Sequence, residues 1–173
     1  RYTELRAATD ADPVLVDAVA GELIESEIEI RSGRCESWTE LVAKQQDARN
    51  HLFSVAAENN IVLGATAAHP WSAWQDQKII DTEHYRRVAD GLKYVAWRNN
   101  TFGIHVHVGI RGADRAIAVC DRLRVHMPSL LAISANSPFV EGVDSGLHSA
   151  RSQIFTKSFP RCGIPDHYGS FQE

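Results

Sequence analysis

The sequence predicts an α+β fold, a sheet with helices packed on one of its faces. Three observations carry this. Residues 101–110 alternate apolar and small or polar side chains strictly. Residues 23–31 alternate Ile with Glu. Between them, residues 37–58 place apolar side chains at helical spacing.

The elements follow in order. Asp12-Pro13 is a helix start, an N-cap followed by proline in the first turn. Val14–Ala20 continues at helical spacing, and Gly21 can end it. From Leu23 to Arg31 the period becomes two: Ile24, Ser26, Ile28 and Ile30 share one face, and Glu25, Glu27 and Glu29 the other. Trp38, Leu41, Val42, Gln45, Ala48, Leu52, Val55 and Ala56 mark a long amphipathic helix, ended by Asn59-Asn60. Ile61–Thr66 reads as a short buried strand. His69–Trp74 is a loop bearing two aromatics. Asp81-Thr82-Glu83 opens a helix running to about Trp97, with acid at its positive end. Thr101–Ile110 is the next strand, with Ile104, Val106, Val108 and Ile110 facing inward. Helices follow at about 114–125 and 128–135, and residues 136–173, rich in Gly, Ser and Pro, read as a long loop.

The chain has 173 residues, 44% of them hydrophobic and 23% charged, with a net charge of −4. This is globular composition, ample for one domain. The mild acidity argues against nucleic acid or an anionic membrane surface as partner. No apolar run is long enough to span a bilayer, and no basic-then-apolar leader is visible. Cys35, Cys120 and Cys162 are odd in number and widely spaced, which argues against a disulfide framework or a zinc site. A reduced, cytoplasmic protein is expected.

His105-Val106-His107 is the sharpest chemical feature. In an extended chain these imidazoles face one side, about 6.5–7 Å apart. Gly103 and Gly109 flank them on that side and leave room for a ligand. The acidic face of 25–29 is the second feature, because adjacent carboxylates repel and call for water, basic groups or a hard cation. One His among carboxylates suits Mg²⁺, with Mn²⁺ as the alternative, better than Zn²⁺. The third is Arg151 in a serine-rich stretch, a planar fork of donors suited to a phosphate or carboxylate. His69, His84, His126, His148 and His167 lack a partner at useful spacing, and Cys35 has no paired His. The GxSxG, GxxxxGK[ST] and GxGxxG patterns are absent.

Three segments taken together resemble a known family. They are Thr101-Phe102-Gly103-Ile104-His105-Val106-His107-Val108-Gly109, Ile133-Ser134-Ala135-Asn136-Ser137-Pro138-Phe139-Val140-Glu141-Gly142 and Ser149-Ala150-Arg151-Ser152-Gln153-Ile154-Phe155. The family is glutamate–cysteine ligase type 2, carboxylate–amine ligases of the glutamine synthetase superfamily. Glu22–Cys35 and Ala68-His69-Pro70 fit in the same order, so the resemblance runs from about Val14 to Pro165. It implies a curved, mostly antiparallel sheet with helices on one face, the glutamine synthetase/guanido kinase-like catalytic domain. It implies ATP and Mg²⁺ as cofactors, glutamate or a similar acid and an amine such as cysteine as substrates, and an assembly of identical chains. The product would be a γ-glutamyl amide, formed through an acyl phosphate.

Residue by residue, the resemblance makes His105 a metal ligand and puts His107 near the nucleotide phosphates. It makes Glu29 a metal ligand with Glu22 as its acidic partner, and places Arg151 at the substrate or phosphate end as the catalytic arginine. Seven residues is an odd spacing, so on one flat strand Glu22 and Glu29 would face opposite ways. Glu22 must then precede the strand or lie across a bend, and Glu25 competes for the role. The family's opening Gly-x-Glu-x-Glu strand and its C-terminal half have no counterpart in residues 1–173. These residues are therefore expected to be part of a single catalytic domain. Two other classes stay open: a catalytically silent relative that binds nucleotide or a small acid, and a metal hydrolase using the His pair.

Overall fold

In the computed structural model, residues 1–158 and 162–172 are described, and the chain divides into two units. The first comprises Arg1–Ala65 and Ala73–Asn100, the second Thr66–Ser72 and the chain from Thr101 onward. Both mix helices with small antiparallel ladders, so the fold is α+β.

The first unit opens with helix α1 (Tyr2–Ala11), which buries Leu5 and Thr9. The helix expected at 14–20 is not formed. Asp12 does cap: its Oδ1 accepts from the backbone N–H of Val14 (2.8 Å) and Leu15 (3.0 Å). The turns it starts end at Ala18, because the next residues join a ladder instead. Strand β1 (Val19–Gly21) pairs antiparallel with β2 (Ile28–Ile30), with Val19 opposite Ile30, Ala20 opposite Glu29 and Gly21 opposite Ile28. Val19 is fully buried there, a gain that an isolated seven-residue helix could not match.

The strand expected over 23–31 is broken. Ile24 makes an isolated bridge to Ile79, and Glu27 N–H donates to the Ile24 carbonyl (2.9 Å), closing a turn at Glu25-Ser26. The uniform carboxylate face is therefore not realised: Glu25 is exposed, Glu29 half-buried and Glu27 only 4% exposed.

Helix α2 (Trp38–Glu58) matches its prediction. Ser37 caps it by accepting from Glu40 N–H (3.1 Å), and Ala48, Leu52 and Ala56 form the buried stripe. These three join Leu5, Leu15 and Val19 in the core, with Ile28, Ile30, Ile61 and Leu63 packed against it. Asn59 caps the helix end and Asn60 takes φ +54°, as the Asn pair predicts. Ile61–Thr66 is not a buried strand. Ile61 and Leu63 pack against the core while Val62 is 96% exposed, and the segment joins no ladder among the described residues.

The single helix expected over 81–97 is two: α3 (Glu83–Leu92) and α4 (Tyr94–Trp97). Lys93, at φ +48°, breaks it just after Gly91. The break accompanies the full burial of Ala96 and an edge-on contact of Tyr94 with Trp74 (5.2 Å).

In the second unit, Ala68 bridges Thr101, Phe102 N–H donates to the Ala67 carbonyl (3.0 Å), and Ala67 N–H donates to the Asn136 carbonyl (2.9 Å). From 102 to 110 the chain joins no ladder among the described residues. Ile104, Val106 and Val108, expected inward, are 69–89% exposed. A strand buries its apolar face only when partners cover it. Helix α5 (Ala113–Leu123), a 3₁₀ turn (Arg124–His126) and α6 (Met127–Ser134) follow near their predicted places.

The stretch after 136 is not one loop. Strands β3 (Phe139–Val140) and β4 (Val143–Asp144) form a hairpin whose turn, Glu141-Gly142, has φ of +53° and +79°. Helix α7 (Ala150–Ser158) follows and carries Arg151. The parts of the predicted loop at 159–161 and 173 lie outside the described residues. Asp121 on α5 accepts from the N–H groups of Tyr168 (2.9 Å) and Gly169 (3.1 Å), which hold its carboxyl below the usual range and tie down the 162–172 segment. No helix among the described residues is long and apolar enough to cross a membrane.

Candidate active site

The predicted site residues divide between the units: Glu22 and Glu29 lie in the first, His105, His107 and Arg151 in the second.

In the first unit the odd spacing of Glu22 and Glu29 has a structural answer. They do not share a strand. Glu22 follows β1 directly, Glu29 sits in β2, and the turn at 25–26 folds one back beside the other. Glu29 is opposite Ala20, and Glu22 directly follows the last ladder residue, Gly21, so the two glutamates lie on the two arms of the same hairpin. Glu25, the competing candidate, is on the exposed turn. Glu22 Oε1 also accepts from Leu23 N–H (3.0 Å).

Two tyrosines that sequence reasoning missed frame this hairpin. The Tyr85 hydroxyl donates to the Gly21 carbonyl (3.4 Å). Burial first, then the charges of Glu22, Glu29 and Glu27 and the neighbouring Tyr2, push its phenol up to about 12. On Gly21, a Cβ would lie 1.9 Å from the Tyr2 hydroxyl oxygen and 2.9 Å from Ile80. Only glycine allows that approach. No local sequence signal marked Tyr2 or Tyr85, since both meet the hairpin through tertiary contact.

In the second unit the imidazoles of His105 and His107 stand 6.4 Å apart, centroid to centroid, at 82° to each other. This is the i, i+2 geometry that extended backbone predicts. The side chain of Arg151 comes to the same place. At the position a Cβ would take on Gly103, Arg151 Nη2 is 3.3 Å away and His105 Nε2 3.8 Å away. The missing Cβ thus leaves a small space flanked by a guanidinium and an imidazole. Gly109, the other framing glycine, has open space around its own Cβ position.

Arg151 is positioned from both its backbone and its side chain. It lies in the first turn of α7, not in a loop. Its own N–H donates to Ser137 Oγ (3.1 Å), while Ala150 N–H donates to the Ser137 carbonyl (3.1 Å) and Ser137 N–H to the His148 carbonyl (3.0 Å). Ser137 is 2% exposed, so this fixing of the helix start is shielded from water. One turn on, the Phe155 ring lies under the Arg151 guanidinium, 4.3 Å from Cζ to centroid.

A guanidinium and an imidazole drawn together against the Gly103 backbone suit phosphate or carboxylate oxygens. The paired carboxylates of Glu22 and Glu29 suit a hard cation. Among the described residues, no three His, Cys, Asp or Glu side chains form a metal cage.

Comparison with known proteins gives the frame for these residues. The model of glutamate-cysteine ligase family 2 matches residues 4–173. A Solibacter usitatus protein named "Putative glutamate--cysteine ligase 2" is 39% identical over 160 residues, covering 92% of this chain and 41% of that protein. The glutamate–cysteine ligase of Halobacterium salinarum is 36% identical over 154 residues (87% and 42%). That of Haloquadratum walsbyi is 35% identical over 159 residues (92% and 44%). The chain thus spans about two-fifths of the length of these relatives. The match covers both units, the acidic hairpin and the His–Arg cluster alike: the chain belongs to glutamate-cysteine ligase family 2.

Proposed function

We propose that this chain is part of the catalytic domain of an ATP- and Mg²⁺-dependent carboxylate–amine ligase that joins the γ-carboxylate of glutamate to an amine, with cysteine the first candidate. The single observation that carries the reading is the family match across residues 4–173, which takes in every predicted site residue. The convergence of Arg151 and His105 on Gly103 supports it from the side of chemistry. The glutamine synthetase-like sheet, the assembly of identical chains and the cytoplasmic setting belong to the same proposal.

In this reading Glu22 and Glu29 of the first unit would each serve as a Mg²⁺ ligand, as would His105 of the second, and His107 and Arg151 would face the phosphates or the substrate carboxylate. ATP and Mg²⁺ supply the activation of the carboxylate as an acyl phosphate and the neutralisation of its charge. The chain's residues bind and orient. Arg151 offers a planar fork of donors to an anionic oxygen, and Ser137 fixes the backbone from which that side chain extends. Glu22 and Glu29, on the two arms of one hairpin, would offer carboxylate oxygens to the cation.

The test uses the full-length protein with ATP, Mg²⁺, glutamate and a panel of amines, reading phosphate release. Amine-dependent phosphate is expected; binding of Mg-ATP by calorimetry without turnover would instead make the protein a silent binder. His105→Ala is expected to lower turnover by roughly 10²-fold or more while the melting temperature holds. Turnover at the wild-type level in that variant would remove His105 from the site.

A further inference from the structure

We propose that Phe155 is a positioning residue: its ring holds the Arg151 guanidinium in the space that Gly103 leaves open beside His105, keeping that group aimed at an anionic substrate oxygen. The inference rests on the reading of Arg151 as an anion-binding residue and deepens it.

Three observations meet here. Arg151 and Phe155 are four apart on α7, so they share a helix face. The guanidinium lies 4.3 Å from the ring centroid, well inside the range of a favourable cation–ring contact. The same guanidinium also meets Gly103, where any Cβ would stand 3.3 Å from Nη2, tighter than ordinary contact. The guanidinium therefore touches both an aromatic face and a backbone that carries no side chain. An arginine has several rotatable bonds and the rotamer freedom that goes with them to lose. A ring beneath it removes part of that loss before the substrate arrives, which lowers the cost of binding and not the chemical step. Leucine at 155 would fill similar space without a ring face. Tyrosine would keep the face.

The experiment measures KM for ATP and for glutamate, kcat and melting temperature in full-length Phe155→Leu, Phe155→Tyr, Gly103→Ala and Arg151→Ala proteins, with the Arg151→Ala/Phe155→Leu double variant. Phe155→Leu is expected to raise the KM of one anionic substrate roughly three- to tenfold, with kcat changed much less. The substrate affected, ATP or glutamate, identifies the anion. Phe155→Tyr restores the wild-type KM, and Gly103→Ala raises the KM of the same substrate. The double variant is expected to be no worse than Arg151→Ala alone, because Phe155 acts only through Arg151. A wild-type KM in Phe155→Leu, or additive losses in the double variant, overturns the inference. If Arg151→Ala leaves both KM values unchanged, the anion-binding reading itself fails and takes the positioning role with it. The stacking has its own readout: the Arg151 side-chain protons should show an upfield ring-current shift that disappears in Phe155→Leu. No such shift in the wild type overturns the inference whatever the kinetics.

Discussion

At the scale of the residue, two glycines do opposite work. Gly103 leaves a space that polar side chains border, whereas Gly21 leaves a space already filled. The Tyr2 hydroxyl oxygen stands 1.9 Å from where a Cβ on Gly21 would be, with Ile80 at 2.9 Å. Tyr2 is the end of a longer side chain and can give way, but only by leaving the hairpin it covers. Gly21→Ala is therefore expected to cost about 1–3 kcal/mol, the usual range for overpacking, read as a lower denaturant midpoint with an unchanged slope. A midpoint within error of wild type would mean Tyr2 moves freely. None of this was readable from Gly21 as a letter, which suggested a helix end. The spacing of Glu22 and Glu29 was readable as a puzzle: a period of two cannot place residues seven apart on one face, so a bend had to intervene. The ladder register supplies it.

At the scale of the element, local signals succeeded where an element is held by its own residues. Helix α2 has its Ser37 cap, its apolar stripe and its Asn stop, and the structure agrees with all three. They failed where a remote contact decides. Helix α7 lies in a stretch whose Ser, Gly and Pro read as loop, yet its start is fixed by Ser137, thirteen residues before Ala150. That bond was not visible in the sequence, although the Asn136-Ser137-Pro138-Phe139 segment stood out by resemblance. Ser137→Ala should remove the acceptor of the Arg151 N–H and cost about 1 kcal/mol. In the full-length protein it should also raise KM for the same substrate as Phe155→Leu, because both seat Arg151. A loss of stability with no change in either KM would show that the helix start and the guanidinium are set independently.

At the scale of the whole molecule, apolar burial is uneven. The core cluster of Leu5, Leu15, Val19, Ala48, Leu52 and Ala56 belongs entirely to the first unit. In the second, the buried hydrophobic residues among those described are Ala68 and Ala150, while Ile104, Val106, Val108, Val125 and Ile133 are 69–89% exposed. Composition alone could not reveal this, since an apolar share of 44% says nothing of which apolar residues find cover. The alternation at 101–110 was read correctly as a pattern. As a ladder it stops at its start: Ala68 pairs with Thr101, and beyond Phe102 no described strand lies alongside. Local stability follows buried apolar contact and shielded hydrogen bonds. Hydrogen exchange on the 173-residue chain should therefore find α2 slow and residues 103–109 close to the rate of an unstructured peptide. Leu52→Ala should cost 2–5 kcal/mol, the usual range for a buried leucine. Protection in α2 should fall accordingly, while residues 103–109, already fast, have nothing to lose. Strong protection of 103–109 in the wild-type chain would mean that its exposed valines and isoleucine are covered in solution, and that the unevenness of the core is not a property of the folded chain.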